Sequence, residues 1–276
     1  EHVREDFLPA EGMALSERMA PTSFAWDGRI VRVCAFPVGI DAAYIDKIAR
    51  SAETEAKRDE VRAEVGPEGR LIVSVSRTDY TKGNIEQLQA YERLLERRPE
   101  LRGAVRLLHV SVSANRSMTA YEEVQSEIEQ IAGRINAQYG SFEWQPVALV
   151  GTAIPFRELV AYYQAADVAW ITPLADGLNL VCQEFCASRT DGDGVLVLSE
   201  FAGAAVVLSD AVIANPFSHR AMDAAIDQAL DMDEAERRDR MAALRAKVAR
   251  YDIRAWARFQ TEAFAEIAPA APIAAE

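Results

Sequence analysis

Short apolar segments alternate with amphipathic segments from about residue 30 to residue 250. The apolar segments are rich in Val, Ile and Leu, which is typical of buried strands, and the segments between them have helical spacing. The predicted strands are Ile30–Phe36, Leu71–Ser76, Val105–Val112, Val147–Val150, Asp167–Thr172, Val195–Ser199 and Val212–Ala214. The predicted helices span residues 41–64, 84–98, 118–139, 155–166, 178–190, 200–208, 218–231 and 233–249.

This order of elements predicts the α/β class. Near-continuous apolar strands separated by helices indicate a parallel sheet covered on both faces, a doubly wound, Rossmann-like architecture. Ligands of such sheets bind outside the carboxyl ends of the strands. We expect one ligand-binding domain over residues 30–264, preceded by a partial remnant of another domain or a linker over 1–29. Residues 265–276 are rich in Ala and Pro and are expected to form a flexible tail.

Composition narrows the possible partners. The 276 residues include 30 Lys and Arg against 43 Asp and Glu, a formal net charge of -13. This charge argues against nucleic-acid and anionic-membrane partners, because both attract basic proteins. Three cysteines form no disulfide framework and favour a reduced, cytoplasmic setting. The three histidines are too widely spread to indicate a metal site, and the sequence leaves a homo-oligomer open.

Two cations follow the predicted strand Leu71–Ser76. Arg77 and Lys82 are separated by a turn that would let both side chains reach one ligand. Arginine offers a planar fork that matches phosphate oxygens, and lysine offers a compact charge. Together they are candidates to hold a diphosphate and to stabilise the negative charge that grows on it as it leaves. The alternative is a surface pair bonded to Asp79 and Glu86.

A second candidate segment, PLADGLNLVCQEF, covers residues 173–185 after a predicted strand. Asp176 and Gly177 indicate a turn, and the amides from Leu178 onward open the predicted helix. Free amides and the positive end of the helix dipole form an anion site. Asp176 can accept hydrogen bonds from sugar hydroxyls, or it simply caps the helix.

Two further side chains of this segment are candidate ligand contacts. Asn179 can both donate and accept hydrogen bonds, and Glu184 lies far enough along the helix to reach a ribose diol. The alternative for Glu184 is a solvated helix position. The turn SEFAGAA, residues 199–205, approaches a ligand or packs tightly, and tight packing is the expectation.

Motifs of several other classes are absent from the sequence. It contains no G-x-x-x-x-G-K-[ST] motif, which argues against a P-loop nucleotidase. It contains no G-x-G-x-x-G after a strand, which argues against a nicotinamide dehydrogenase. It also lacks a Ser/His/Asp set in nucleophile-elbow context.

Several segments together resemble the trehalose-phosphate-synthase-like retaining glycosyltransferases. They are FPVGID, VSRTDYTKG, YERLLERRPEL, EIEQIAGRINAQYG, ADVAWITPLADGLNLVCQEF and GVLVLSEFAGAA, in this order over residues 30–260. The resemblance implies a GT-B fold of two Rossmann-like domains, of which this sequence supplies the carboxyl-terminal, donor-binding one. It implies transfer of glucose from a nucleoside diphosphate glucose, with ADP-glucose the expected donor, to glycerol 3-phosphate. No cofactor or metal is implied.

The resemblance also assigns roles to residues. Arg77 and Lys82 would clamp the donor diphosphate, Glu184 would bind the ribose, and Ile154 would lie near the base. The glucose and phosphates would be held by Asp176, Gly177, Leu178, Asn179, Leu180 and Val181.

The chain departs from the family pattern in two places. Gln183 stands where trehalose-type enzymes have lysine, and Asn115, beside Arg116, stands where they have an arginine for glucose 6-phosphate. Arg116 is therefore a candidate contact to a smaller phosphorylated acceptor. The family's amino-terminal domain carries acceptor-binding groups that residues 1–29 do not supply, so we expect the chain alone to be inactive. Two alternatives stay open: a trehalose-6-phosphate synthase, and a non-catalytic nucleotide-sugar-binding module.

Overall fold

The computed structural model describes residues 22–113 and 119–267. The strands are β1 Thr22–Trp26, β2 Arg29–Val33, β3 Arg70–Thr78, β4 Val105–Ser113, β5 Val147–Val150, β6 Val168–Ile171, β7 Val195–Ser199 and β8 Val212–Ala214. The α-helices are α1 Ala42–Ala49, α2 Ala52–Val65, α3 Asn84–Arg97, α4 Thr119–Tyr139, α5 Phe156–Ala165, α6 Val181–Ser188, α7 His219–Asp231, α8 Glu234–Arg250 and α9 Ile253–Ile267. Over these residues, no helix combines the length and the apolar character needed to cross a bilayer.

Six strands form one parallel sheet in the order β5-β4-β3-β6-β7-β8. From β3 the chain moves outward to β4 and β5, and it then returns to place β6 on the other side of β3. The pairing of β3 with β6 runs through Ile72 with Val168 and Val73 with Ala169. The strand order therefore reverses between β3 and β6, and a crevice opens at the carboxyl ends of these two strands.

The two faces of the sheet carry separate apolar cores, as the doubly wound prediction requires. One core packs against α1, α2, α5, α6 and α8, and it includes Val73, Phe185 and Leu244. The other packs against α3, α4 and α7, and it includes Ile72 and Leu88. Consecutive residues of β3 enter opposite cores because side chains alternate along a strand. The predicted α/β class is confirmed.

The first predicted strand does not join this sheet. Within it, only β2 forms, and β2 pairs with β1 in a separate antiparallel hairpin. Asp27 and Gly28 form the hairpin turn, and both have positive φ. This backbone conformation reverses the chain within two residues, so that β1 and β2 can pair. The expectation that this segment begins the parallel sheet is therefore wrong.

Helix boundaries also differ from the prediction. The helix predicted over 41–64 is two helices, because the side chain of Ser51 accepts from the amide of Thr54 and starts α2 anew. The helix predicted over 200–208 is only a short 3₁₀ turn, Gly203–Val206. The sequence pattern did not predict α9.

Candidate functional site

A cavity of about 580 Å³ opens at the carboxyl ends of β3 and β4, beside the crevice between β3 and β6. This volume is within the range of small-molecule sites, roughly 300–1,000 Å³. Its lining residues come from loops that are far apart in sequence, namely Val75, Ser76, Arg77, Lys82, Val110, Val112, Ala153, Ile154, Leu159, Asp176, Leu178, Asn179, Leu180 and Val181.

Lys82 reaches the cavity from a 3₁₀ turn that follows β3. Asp79 shapes this turn, because its carboxylate accepts from the amide of Thr81 at 2.8 Å and from the Thr81 hydroxyl at 2.9 Å. The turn ends at Gly83, which has φ +68° and lies against the carbonyl of Thr172. Asp79 therefore holds the turn, and the alternative in which Asp79 neutralises Lys82 is wrong.

Lys82 is paired with Asp176 across the crevice. Its Nζ lies 2.8 Å from Oδ2 of Asp176, and both side chains are largely buried. The carboxylate also accepts from the Leu178 amide at 3.2 Å and from Nδ2 of Asn179 at 3.2 Å. Burial opposes ionisation of this carboxyl, but the three hydrogen bonds outweigh burial and hold its pKa below the ordinary value.

Arg77 is an exposed residue at the end of β3, on the rim of the cavity. Its backbone carbonyl accepts from Asn84, whereas its guanidinium has no hydrogen-bond partner among residues 22–113 and 119–267. The guanidinium can therefore bind an incoming ligand without breaking a bond within the described structure.

The loop between β6 and α6 lines the cavity and carries backbone amides that are not hydrogen-bonded within the described residues. Within the described residues, no acceptor meets the backbone amides of Asn179, Leu180 and Val181. Asn179 has φ +76°, and its Oδ1 caps α6 by accepting from the amide of Cys182 at 3.1 Å. α6 thus begins at Val181 rather than at Leu178 as predicted, because residues 176–180 form this loop.

Glu184 lies one turn into α6 and is mostly buried. The hydroxyl of Tyr163 approaches Oε2 at 3.4 Å, which is long for an O–H···O bond. Burial raises the pKa of Glu184 to about 7, and the Tyr163 hydrogen bond lowers it only in part. The alternative of a solvated helix position is therefore wrong. With this pKa, the carboxyl changes charge near neutral pH.

The structure brings most of the predicted site residues together. Eight of them line the one cavity, namely Arg77, Lys82, Ile154, Asp176, Leu178, Asn179, Leu180 and Val181. Gly177 lies between the lining residues Asp176 and Leu178, and Glu184 lies three residues after Val181, but neither of the two lines the cavity. Arg116 lies outside the described residues, and its predicted contact stays a prediction. Gln183 faces a smaller gap beside Tyr251 instead.

The sequence analysis missed the apolar wall of the cavity. Val75, Val110 and Val112 come from β3 and β4, and Ala153 and Leu159 come from the segment after β5. Alternation along β4 could have predicted part of this wall, because Val110 and Val112 are two residues apart at the carboxyl end of the strand and therefore lie on the same face. The role of a strand residue as wall or core still depends on whether a helix covers it.

The cavity thus has a cationic, amide-rich end and an apolar end. The first suits phosphate oxygens, because cations and free helix-start amides both bind anions. The apolar end suits a flat, uncharged ring system, which it can bury. In the described part of the chain, no three His, Cys, Asp or Glu side chains are grouped so that they could hold a metal ion.

Comparisons with known proteins point to one family. The sequence profile of glycosyltransferase family 20 matches residues 4–266. A glucosylglycerol-phosphate synthase of Synechocystis sp. is 44% identical over 266 residues, which cover 96% of this chain and 53% of that protein. A trehalose-6-phosphate synthase of Mycobacterium avium is 37% identical over 88% of this chain and 49% of that protein.

Solved structures show the same relationship in three dimensions. The α,α-trehalose-phosphate synthase of Burkholderia xenovorans, in complex with glucose-6-phosphate, has a TM-score of 0.83 at 33% identity, over 88% of this chain and 54% of that one. The E. coli enzyme bound with UDP-2-fluoro glucose also has a TM-score of 0.83 at 33% identity, over 92% of this chain and 58% of that one.

The chain spans about half the length of the curated relatives it matches. The match covers nearly all of its own length, and the solved relatives have the GT-B fold that the resemblance implied. The resemblance of the sequence motifs to this family is confirmed, and the chain is 44% to 45% identical to two glucosylglycerol-phosphate synthases. The chain belongs to glycosyltransferase family 20.

Proposed function

We propose that this chain binds the donor in a retaining glucosyltransferase that transfers glucose from a nucleoside diphosphate glucose to glycerol 3-phosphate. The observation that carries the proposal is the meeting of Arg77, Lys82 and the loop 176–181 around one cavity. Cations and free amides from separate strand ends favour a diphosphate over a single carboxylate, because they offer many donors over an extended surface.

The geometry supports a specific arrangement of the donor. The diphosphate would lie between Arg77 and the amides of residues 179–181, with the nucleoside along the apolar wall near Ile154. Lys82 uses one of its three N–H groups on Asp176 and keeps two for phosphate oxygens. Glu184 would accept from the ribose hydroxyls.

In the proposed mechanism the bond between the anomeric carbon and the diphosphate oxygen breaks first, which gives an oxocarbenium-like sugar. Arg77 and Lys82 stabilise the negative charge on the departing diphosphate. A phosphate oxygen takes the proton of the acceptor hydroxyl, which attacks from the same face, so configuration is retained. The scheme requires no metal ion. It also requires no carboxylate nucleophile from this chain, whereas most glycoside hydrolases use a pair of carboxylates.

The names of the relatives support glycerol 3-phosphate as the acceptor, whereas ADP-glucose as the donor is our proposal from the resemblance of the sequence motifs. Identity to glucosylglycerol-phosphate synthases is 43% to 45%, whereas identity to the trehalose-6-phosphate synthases is 36% to 39%. The difference supports the first acceptor over glucose 6-phosphate. We also propose that activity requires the full-length protein, since the relatives are about twice as long as this chain.

Substitution of the two cations in the full-length protein tests the mechanism. We expect Arg77→Ala and Lys82→Ala each to lower kcat by about 10²-fold or more, because each removes a charge that stabilises the leaving group. Arg50→Ala, which removes an exposed arginine from the end of α1, is the matched control and should leave kcat unchanged. Wild-type turnover by either cavity variant would contradict the mechanism.

Trehalose-6-phosphate synthesis is the second candidate, favoured by the solved relative in complex with glucose-6-phosphate. We expect the full-length protein to use glycerol 3-phosphate with a higher kcat/KM than glucose 6-phosphate in a direct comparison with ADP-glucose and UDP-glucose as donors. A preference for glucose 6-phosphate would assign the second function instead.

A non-catalytic binding module is the remaining alternative. Calorimetry of this chain with ADP-glucose, UDP-glucose and the two nucleoside diphosphates measures donor binding by itself. Binding without turnover in the full-length protein would favour the module, and absence of binding would contradict both functions.

A further inference from the structure

The turn after β7 is bonded to the backbone of the cavity loop. The amide of Asp176 donates to the carbonyl of Phe201 at 3.1 Å, and the carbonyl of Asp176 accepts from the amide of Gly203 at 2.8 Å. The amide of Ala204 donates to the carbonyl of Leu178 at 2.8 Å. These bonds continue the parallel pairing of β6 and β7 beyond both strands, with Asp176 opposite Ala202.

Gly203 is the closest point of this contact. A Cβ atom built at Gly203 would lie 2.1 Å from the carbonyl oxygen of Gly177 and 2.8 Å from its carbonyl carbon. Its φ is not positive, so the position requires glycine for space and not for backbone conformation. Both clashing atoms belong to the backbone, and a side chain at 203 must therefore displace the loop that carries Asp176.

The opposite side of the same loop is held in a similar way. The carbonyl of Thr81 accepts from the amide of Leu174 at 2.7 Å and from that of Ala175 at 3.2 Å. The loop is thus fixed between the turn that carries Lys82 and the turn after β7. A displacement at Gly203 would move Asp176 relative to Lys82, since the other attachment stays in place.

We infer that Gly203 is a positioning residue for donor binding. It acts through the backbone of residues 176–178. By holding this backbone in place, Gly203 fixes the distance between Lys82 and Asp176 and the position of the free amides at the start of α6. It contacts no donor atom itself. This role rests on the proposed function, because the residues it positions are those assigned to the diphosphate and the glucose.

Gly203→Ala in the full-length protein tests the inference. We expect kcat/KM for the nucleoside diphosphate glucose to fall by about 10²-fold, as displacements of about 1 Å at a reacting site do. The KM of the acceptor should stay unchanged, and ADP binding measured by calorimetry should weaken. Exchange of the Ala204 amide hydrogen should become faster, because the variant loosens its bond to Leu178.

Gly133→Ala provides the matched control, since Gly133 is an exposed helical residue with open space around its Cβ position. It should leave all four measurements unchanged. Should Gly203→Ala fail to fold, Ser199→Ala replaces it, because Oγ of Ser199 accepts from the amide of Phe201 at 3.0 Å and shapes the same turn. We expect Ser199→Ala to lower the kcat/KM of the donor less than Gly203→Ala would, again without a change in the KM of the acceptor.

The outcomes separate this inference from the proposed function. If the wild-type protein binds ADP-glucose and the variant that folds binds it equally well, the positioning role is overturned and the proposed function stands. An equal increase in the KM of donor and acceptor would also overturn it, because it would indicate general damage to the fold. If the wild-type protein binds no nucleoside diphosphate sugar, the proposed function and this inference fail together.

Discussion

At the scale of single residues, two carboxyls of the candidate site differ in pKa because their surroundings differ. Asp176 is held ionised by Lys82 and by two further hydrogen bonds, and its pKa lies below the ordinary value. Among the described residues, the carboxyl of Glu184 has only a long hydrogen bond from Tyr163, and burial raises its pKa to about 7. The first is therefore charged in any ordinary buffer, whereas the second changes charge in the physiological range.

This difference predicts a pH dependence of donor binding. Ribose hydroxyls donate to an ionised carboxylate, so binding favours the ionised form of Glu184 and should release a proton. We expect ADP affinity, measured by calorimetry, to decrease as the pH falls through about 7. Glu184→Gln should remove this pH dependence, and Glu262→Gln, an exposed glutamate of α9, should leave it intact.

The same group affects stability with a defined sign. The pKa of Glu184 is raised on folding, so its contribution to stability is fully present below about pH 4.5 and is lost as the pH rises through about 7. At pH 8, we expect Glu184→Gln to raise the free energy of unfolding by up to about 3 kcal/mol, measured by urea denaturation. Equal stability of variant and wild type at pH 8 would contradict the raised pKa.

At the scale of secondary structure, the start of α6 determines the anion-binding end of the cavity. Asn179 fixes that start by capping the amide of Cys182 and by adopting a left-handed backbone. The amides of Leu180 and Val181 have no acceptor among the residues that the structure describes, and both residues line the cavity. Cys182 and Cys186 are four residues apart on this helix, and both are buried and contribute apolar packing.

Two substitutions at Asn179 separate the cap from the backbone conformation. Asn179→Gly keeps the left-handed conformation but loses both side-chain hydrogen bonds, and Asn179→Ala also strains the backbone. We expect both to weaken ADP binding, and we expect the alanine variant to lose about 1 kcal/mol more unfolding free energy than the glycine variant. Urea denaturation and calorimetry measure the two effects.

Ser51→Ala is the control for a lost cap elsewhere. Ser51 caps α2, which contributes no residue to the cavity, and its loss should cost about 1 kcal/mol of stability. ADP affinity should be unchanged. If Asn179→Gly behaved like Ser51→Ala in both measurements, the helix start would have no part in donor binding.

At the scale of the whole molecule, the reversal of strand order brings the site together. Arg77 lies at the end of β3, Lys82 follows β3 and Asp176 follows β6. These two strands are neighbours in the sheet although about 100 residues separate them in sequence. The apolar wall comes from β4 and from the loop after β5 on the same edge. The separate hairpin of β1 and β2 contributes no lining residue to this cavity.

Much of this arrangement could be predicted from the sequence. The six strands of the parallel sheet were predicted to within a few residues, because buried strands are apolar runs bounded by polar turns. The hairpin, the break at Ser51 and the late start of α6 were missed. Each of these depends on a local hydrogen bond or a positive φ, which hydrophobic periodicity does not encode.

The sequence by itself determined the fold class, the family and most residues of the cavity, because apolar periodicity and motif spacing are local properties of the chain. Only the tertiary structure decided that Lys82 pairs with Asp176 and not with Asp79, that Glu184 is mostly buried, and that Gly203 touches the cavity loop. The reason is physical: pairing, burial and close approach are distances between segments remote in sequence, and those distances exist only once the sheet has formed.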